Sequence, residues 1–238
     1  MNTSLAMKEF AKKRLHENFW PMVLATLIIS VLTGIASANS GYKININYVP
    51  IYDGSQQMNV EQSFNPFASA IMLAISFLVV NPLQVGVCHF FRMNIYQNAR
   101  IEDIRRALDG YWDNVITMGL KNIIISVGFA LCVVPGVILG LGFALVPYIQ
   151  AENPKLGVTE ALTLSWNKMK GHKGELFMLY LSFIGWILLT VLTCGLLGIF
   201  HVNPYLQQTI ASFADTLLSN QHTAPFARND GRTQNIEM

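Results

Sequence analysis

The chain has 238 residues, of which 52% are hydrophobic and 13% charged, and its formal net charge is +2. Soluble domains carry about 25% charged residues to cover their surfaces, so this composition excludes an ordinary water-soluble globule and indicates a surface that faces lipid. The small net charge gives no reason to expect a nucleic-acid partner.

The first apolar segment, residues 19–38, follows a group of basic residues and contains no charged side chain. A helix needs about 20 apolar residues to cross the hydrocarbon core of a membrane, and this segment has that length. It ends in Ala36-Ser37-Ala38, which resembles a signal-peptidase site, so cleavage stays open. Because the apolar run is long for a signal peptide, we interpret it as a retained membrane helix.

Three more apolar blocks follow, at 67–91, 115–150 and 176–218. The last two are too long for one span, and they are interrupted at Pro135-Gly136 and at Thr193-Cys194-Gly195. Proline removes a backbone donor and glycine favours a turn, so the chain is expected to reverse at both places. The predicted spans are therefore about 19–38, 67–91, 115–134, 137–150, 176–193 and 196–218. This pattern predicts an all-α membrane protein whose six transmembrane helices form three helical hairpins in a single polytopic domain, residues 1–218.

The basic residues support this topology. The four segments predicted to be cytoplasmic (1–18, 92–121, 151–176 and 219–238) hold 15 of the 16 Lys and Arg residues, and only Lys43 falls in an outer segment. Such a bias is expected when cations stay on the cytoplasmic side, and it places both termini there.

One span is short. Residues 137–150 rise only about 21 Å at 1.5 Å per residue, against a hydrocarbon core of roughly 30 Å. Residues 115–150 therefore either cross the membrane twice or form a re-entrant hairpin that enters and leaves on the cytoplasmic side. The distribution of charges fits both arrangements.

The last two hairpins share a repeated motif, since Pro147-Tyr148-Ile149-Gln150 recurs as Pro204-Tyr205-Leu206-Gln207. An amphipathic segment precedes each hairpin, with apolar residues at helical spacing. These residues are Met7, Phe10, Ala11 and Leu15 in the first segment, Ile101, Ile104, Leu108 and Trp112 in the second, and Val158, Leu162, Trp166 and Met169 in the third. We interpret the segments as short cytoplasmic helices at the membrane interface, or alternatively as helices packed on neighbouring parts of the protein.

The outer loop, residues 39–66, differs from the other connections. Residues 42–48 alternate in polarity with period two, and Asp53-Gly54 is a turn signal, so the pattern favours a small β-hairpin. Its role is either contact with a partner or ligand, or simple connection. The polar tail, 219–238, is predicted to be a disordered cytoplasmic segment.

Several motifs together resemble a known family. They are Pro135-Gly136-Val137-Ile138, the run from Pro147 to Pro154, Glu160-Ala161, Ser165, Met169-Lys170-Gly171-His172-Lys173, Phe177, the run from Leu181 to Trp186, and Pro204-Tyr205. In these residues the chain resembles the uncharacterised bacterial integral-membrane family known as domain of unknown function 975. The resemblance spans about residues 14–218 and implies a multi-pass protein of a bacterial cell membrane. That family has no established activity to carry over.

Polar side chains inside the predicted spans form the first candidate site. They are Asn81, Gln84, Asn203, Gln207 and Gln208. Because an amide cannot cheaply face hydrocarbon, these side chains should point inward, either to form hydrogen bonds between helices or to line a polar pathway.

The cytoplasmic segments supply the second candidate site, a set of cations suited to anionic lipid headgroups. They are Lys12, Lys13, Arg14, Arg105, Arg106, Lys168, Lys170 and Lys173. Three acidic residues, Glu152, Glu175 and Asp215, are also expected near the cytoplasmic level, where acids at helix ends are usually solvated or paired with a cation.

No constellation of ionisable residues in the predicted spans suits catalysis, a metal or another cofactor, so the sequence predicts a protein that is not an enzyme. We expect a non-catalytic multi-pass membrane protein that acts through lipid or protein partners, in envelope maintenance or regulation. The expected partners are the lipid bilayer, anionic headgroups and another membrane protein. The alternative is a permeation or export protein for small solutes or ions.

Overall fold

The computed structural model describes residues 3–38, 42–50, 56–193 and 195–219, and for residues 3, 35–64, 68, 72, 73, 76, 106 and 107 it describes the backbone at most. The α-helices are α1 (Thr3–Glu17), α2 (Phe19–Ala38), α3 (Pro66–Ile75), α4 (Asn81–Tyr96), α5 (Tyr111–Leu131), α6 (Val133–Gly142), α7 (Val146–Glu152), α8 (Val158–Lys168), α9 (Lys173–Leu181), α10 (Ile184–Leu192) and α11 (Asn203–Leu218). A 3₁₀ segment covers Ile101–Leu108, and π-helical turns cover Ser76–Val80 and Gly198–Val202. The tail beyond residue 219, for which disorder is predicted, lies outside the described residues.

Two strands lie within residues 39–66, where the sequence favours a small β-hairpin. Strand β1 (Tyr42–Pro50) pairs antiparallel with β2 (Gln56–Phe64), and Ile46 is opposite Val60. The predicted turn residues, Asp53-Gly54, lie outside the described residues.

Three stretches of described helix are long and apolar enough to cross a membrane: Tyr111–Leu131, Val133–Glu152 and Lys173–Leu192. Residues Ser4–Glu17 and Phe19–Gly34 pass the same test only as a pair, and the chain bends by 101° between them. Helices of this length and hydropathy indicate a membrane protein.

The chain reverses between α5 and α6 at Cys132, so the predicted break at Pro135-Gly136 is wrong by three residues. Proline fits the first turn of a helix, where the N–H that it lacks has no helical acceptor, and Pro135 lies in the first turn of α6. As a consequence, Val133–Glu152 provides 20 residues of helix, about 30 Å at 1.5 Å per residue, in place of the 21 Å expected for 137–150.

A proline stands at the start of each of the helices α4, α7 and α11. Proline inside a continuous helix would clash with the carbonyl one turn earlier, and a π-helical turn before α4 and before α11 widens the backbone at that point. The helices α4, α7 and α11 pack against one another and supply much of the buried core, including Phe90, Ile149 and Phe213.

The segments expected at the membrane interface pack on these central helices. The segment before each hairpin lies against a proline-initiated helix: α1 against α11, Ile101–Leu108 against α4, and α8 against α7. On α1, Met7, Ala11 and Leu15 are buried. Leu162 of α8 and Met169, directly after α8, are also buried. Their apolar faces are therefore covered by protein, as in the alternative interpretation of these segments.

The second segment does not form the predicted amphipathic α-helix. Ile101–Leu108 is a 3₁₀ helix, in which side chains repeat every three residues rather than every 3.6. Ile104 is buried, but Leu108 and Trp112 are 65% and 66% exposed, so the predicted single apolar face is wrong here.

Candidate functional site

A network of buried side-chain amides joins the bend before α2 to α4 and α11. The Asn18 amide donates to Asn94 Oδ1 at 2.8 Å and to the Ala99 carbonyl at 2.9 Å. Asn94 in turn donates to Gln208 Oε1 at 2.8 Å, and Gln208 donates to the Phe91 carbonyl at 3.1 Å. Asn94 and Gln208 are fully buried. We call Asn18, Asn94 and Gln208 the amide network.

An ionic cluster lies beside the amide network and joins the three central helices. Arg92 of α4 contacts Asp215 of α11, with Nε 3.0 Å from Oδ1, and Glu152 of α7, with Nη1 2.8 Å from Oε1. The Tyr96 hydroxyl donates to Asp215 Oδ2 at 2.6 Å. We call Arg92, Tyr96, Glu152 and Asp215 the ionic cluster.

Burial differs sharply within the ionic cluster. The Asp215 side chain is 0% exposed and that of Arg92 is 13% exposed, whereas Glu152 is 45% exposed. A buried carboxylate is tolerated only when it is paired and hydrogen-bonded. Asp215 meets this requirement through Arg92 and Tyr96, and Ser219 Oγ lies 3.3 Å from its second carboxylate oxygen.

The ionic cluster shifts the pKa of two of its members. Burial, reinforced by the hydrogen bond to Asp215, raises the pKa of Tyr96 to about 12, so this hydroxyl stays protonated as a donor. Burial lowers the pKa of Arg92, but the hydrogen bonds to Glu152 and Asp215 outweigh it and the net shift is upward. Both groups are therefore held in the protonation state that binds the carboxylates.

The arrangement suits structural bonding between helices better than chemistry. In the amide network the polar atoms bond to one another or to backbone carbonyls, and in the ionic cluster the buried acid is neutralised by its cation. In the part of the chain that the structure describes, no group of three or more His, Cys, Asp or Glu residues could hold a metal ion.

The predicted intramembrane polar residues are not joined into one hydrogen-bonded group. Gln208 belongs to the amide network, whereas Asn81 accepts a hydrogen bond from Asn122 at 2.9 Å. Gln84, Asn203 and Gln207 are partly buried. The side-chain hydrogen bonds of the described residues link none of the five to another.

The predicted headgroup contacts fall into two classes. Lys12, Lys13, Arg105, Lys168 and Lys170 are exposed. The others differ: Arg14 turns inward, with Nη2 2.8 Å from the Ile95 carbonyl, and the Lys173 ammonium lies 3.2 Å from the centroid of the Trp166 ring. The side chain of Arg106 lies outside the described residues.

The three acidic residues expected near the cytoplasmic level also fall into two groups, according to their partners. Glu152 and Asp215 share Arg92, while Glu175 pairs with His172 at 3.1 Å.

Sequence reasoning missed Asn18, Asn94, Arg92 and Lys121 as interior polar groups. Each lies next to or inside an apolar block, and all four fall within the segments 1–18 and 92–121, which the sequence predicts to be cytoplasmic. A signal for Arg92 and Asn94 is present in the sequence, because the helix that begins in the second apolar block continues through both residues to Tyr96. Lys121, which we assigned to a cytoplasmic segment, is a buried side chain of α5.

Residues 107–221 match the model of one protein family, described as a protein of unknown function (DUF975). No curated protein and no solved structure matches the chain significantly.

Proposed function

We propose, from the match of residues 107–221 to this family of unknown function, that the chain is a non-catalytic multi-pass protein of a bacterial cell membrane that acts through anionic lipids and a membrane protein partner. Envelope maintenance or regulation is the role that this behaviour suits. The charge distribution supports six crossings with both termini in the cytoplasm, and for 115–150 it fits re-entry equally well.

One observation carries the proposal: cations are exposed on helices whose opposite faces are fixed in the bundle. Lys12 and Lys13 extend from α1, while Lys168 and Lys170 extend from the end of α8 and the turn after it. Because the apolar faces of α1 and α8 are buried, the cations are presented at defined positions. Each Lys near an anionic membrane surface contributes about 1 kcal/mol of attraction.

Lipid counting by native mass spectrometry tests the proposal. Wild-type protein from mixed phosphatidylglycerol and phosphatidylcholine bilayers should retain phosphatidylglycerol preferentially, and replacing Lys12, Lys13, Lys168 and Lys170 by Gln should remove the preference. Lys43→Gln, which changes the cation of the outer loop, is the matched control and should behave as the wild type. An unchanged preference in the quadruple variant, or turnover of lipid by the purified protein, would contradict the proposal.

A permeation function is the second candidate, and Lys121 favours it. This side chain is 7% exposed within an apolar helix. On the same face of α5, one turn earlier, the Thr117 hydroxyl is buried without a described hydrogen-bond partner. Ionisable residues inside a membrane bundle often mark ion or substrate paths.

Flux measurements in liposomes test this second candidate. Ion or proton flux that depends on the protein and is lost in Lys121→Met would support permeation, with Lys155→Met, in the exposed turn between α7 and α8, as the control. Equal flux in protein-containing and protein-free liposomes would remove it.

A further inference from the structure

The position of α8 divides the helical stretch Val133–Glu152 into two halves. Ser165 Oγ donates to the Gly142 carbonyl at 2.9 Å. A Cβ placed on Gly142 would lie 2.4 Å from the Trp166 ring and 3.3 Å from the Lys173 ammonium. The indole and the ammonium therefore lie beside Gly142, ten residues short of Glu152.

The two halves also differ in what covers them. From residue 145 to residue 151 every side chain is buried by protein. In α6, by contrast, Val133, Val134 and Ile138 are 66%, 64% and 45% exposed. Since an apolar surface that protein does not cover requires lipid, the lipid-facing part of this stretch begins near Gly142 and runs toward Cys132.

Polar residues lie on the facing part of α5. Gly128 of α5 lies against Gly136 of α6, so in this antiparallel pair Gly142, six residues after Gly136, is opposite the part of α5 six residues before Gly128, at Lys121 and Asn122. Asn122 donates to Asn81 at 2.9 Å. The 19 residues from 123 to 141 contain no charged side chain, and Ser126 is the one hydroxyl among them. An indole and an ammonium at one level, with an uncharged run beyond it, are typical of a membrane interface.

The lipid-facing part is too short to cross. The ten residues of α6 rise about 15 Å at 1.5 Å per residue, half of the roughly 30 Å core. If α5 and Val133–Glu152 both crossed fully, α8 would lie within the hydrocarbon, together with Lys168, Lys170 and Lys173. Charges at that depth are costly and rare.

The turn at Cys132 suits a position in hydrocarbon. The Cys132 N–H donates to the Gly128 carbonyl at 3.0 Å, and the Gly136 N–H donates to the Cys132 carbonyl at 3.3 Å. Pro135 adds no unpaired N–H to the first turn of α6. A Cβ on Gly128 would lie 3.1 Å from Gly136 Cα, so the two glycines let the helices approach closely. A break within a membrane must leave few backbone groups unpaired, and the turn here is a single residue, Cys132, whose N–H and carbonyl both have partners.

We propose that α5 and α6 form a re-entrant hairpin that enters and leaves the bilayer on the side of α8, with the tip at Cys132 in contact with acyl chains near the mid-plane. The hairpin occupies one leaflet and displaces lipid from that leaflet alone. The outer loop 39–66 provides the contrast, because it carries Lys43, Asp53 and Glu61 and many amides, as a connection that emerges into water requires. The proposal rests on the membrane location within the proposed function, but not on lipid preference or on the absence of catalysis.

Single-cysteine labelling tests the hairpin, because its tip already carries an exposed cysteine. Starting from a Cys88→Ala, Cys194→Ala chain in sealed proteoliposomes of one orientation, Cys132 should resist a membrane-impermeant maleimide from both sides. A nitroxide attached to it should be accessible to oxygen and shielded from a water-soluble nickel chelate. A fluorophore attached there instead should be quenched most by lipids that carry a nitroxide near the end of the acyl chain.

Two controls use the same chain with Cys132→Ala. Gln57→Cys should react from the outer side alone, and Lys170→Cys from the cytoplasmic side alone. Reaction of Cys132 with the impermeant reagent from the outer side, at a rate like that of Gln57→Cys, would overturn the hairpin while leaving the membrane location intact. Reaction of Gln57→Cys and Lys170→Cys from the same side would overturn the membrane orientation itself. Size-exclusion profiles like that of the wild type establish that each variant is folded.

Discussion

Arg92 holds the ionic cluster together, and Arg92→Met tests how much stability that contact provides. The substitution removes the cation but keeps a side chain of similar length, and it leaves the fully buried Asp215 carboxylate without a neutralising partner. Breaking a buried ion pair by removing one member typically costs about 3–5 kcal/mol. The bond to Glu152 adds little to this figure, because Glu152 is 45% exposed and exposed pairs contribute about 0–1 kcal/mol.

The assay is thermal unfolding of the purified protein in detergent. For a chain of this size, 1 kcal/mol corresponds to about 2–4 °C in melting temperature, so we expect Arg92→Met to melt about 6–20 °C below the wild type. Glu152→Gln, the matched control, should melt within about 4 °C of it. The double variant Arg92→Met, Asp215→Asn should recover most of the loss, because its buried side chain is neutral. The reasoning is refuted if Arg92→Met has the same melting temperature as Glu152→Gln. It is also refuted if the melting temperature of the double variant is as low as that of Arg92→Met.

Four other variants test further features of the fold. Gly142→Ala puts a methyl group 2.4 Å from the Trp166 ring and should lower the melting temperature and change the tryptophan fluorescence. The control Gly140→Ala meets nothing within 4 Å and should stabilise helix α6 by up to about 1 kcal/mol. Equal effects of the two substitutions on the melting temperature would contradict this. Asn94→Leu removes the hydrogen bonds that Asn94 makes with Asn18 and Gln208 and leaves each of these amides only its bond to a backbone carbonyl. A buried polar group left unsatisfied costs about 1–3 kcal/mol, so a melting temperature like that of the wild type would count against the amide network. The pKa of Tyr96 is about 12 in the folded protein and about 10 in an unfolded chain, so its contribution to stability is complete below pH 10 and is lost as the pH rises toward 12. Melting curves between pH 9 and 11.5 should therefore fall more steeply for the wild type than for Tyr96→Phe, and parallel curves would exclude this assignment.

Features set by local residue type could be predicted from the sequence. The apolar blocks with few charges predict membrane helices, and proline marks the start of α4, α7 and α11. The burial of Met7, Ala11 and Leu15 on one face of α1 also follows from their spacing. In each case the chemistry of a short segment decides the outcome.

Contacts between distant segments could not be predicted in this way. Asn94 and Gln208 are separated by 114 positions, and no local pattern indicates that their amides meet. The position of Gly142 beside Trp166 is likewise a matter of packing, so the sequence left open whether residues 115–150 cross the membrane. The sequence pattern places the break at Pro135-Gly136 instead of Cys132, because Pro135 stands just inside a helix, where proline is also favoured.

The contact between α1 and α11 has a consequence for biogenesis. Helix α1 packs mainly against α11, which follows it by most of the described chain, so this contact can form only after α11 has been made. Until then its Met7, Ala11 and Leu15 side chains must be shielded by lipid or by a chaperone, since exposed apolar side chains promote aggregation. Docking of α1 is therefore expected to be a late assembly step, and a chain truncated before residue 203 should leave this helix accessible to protease.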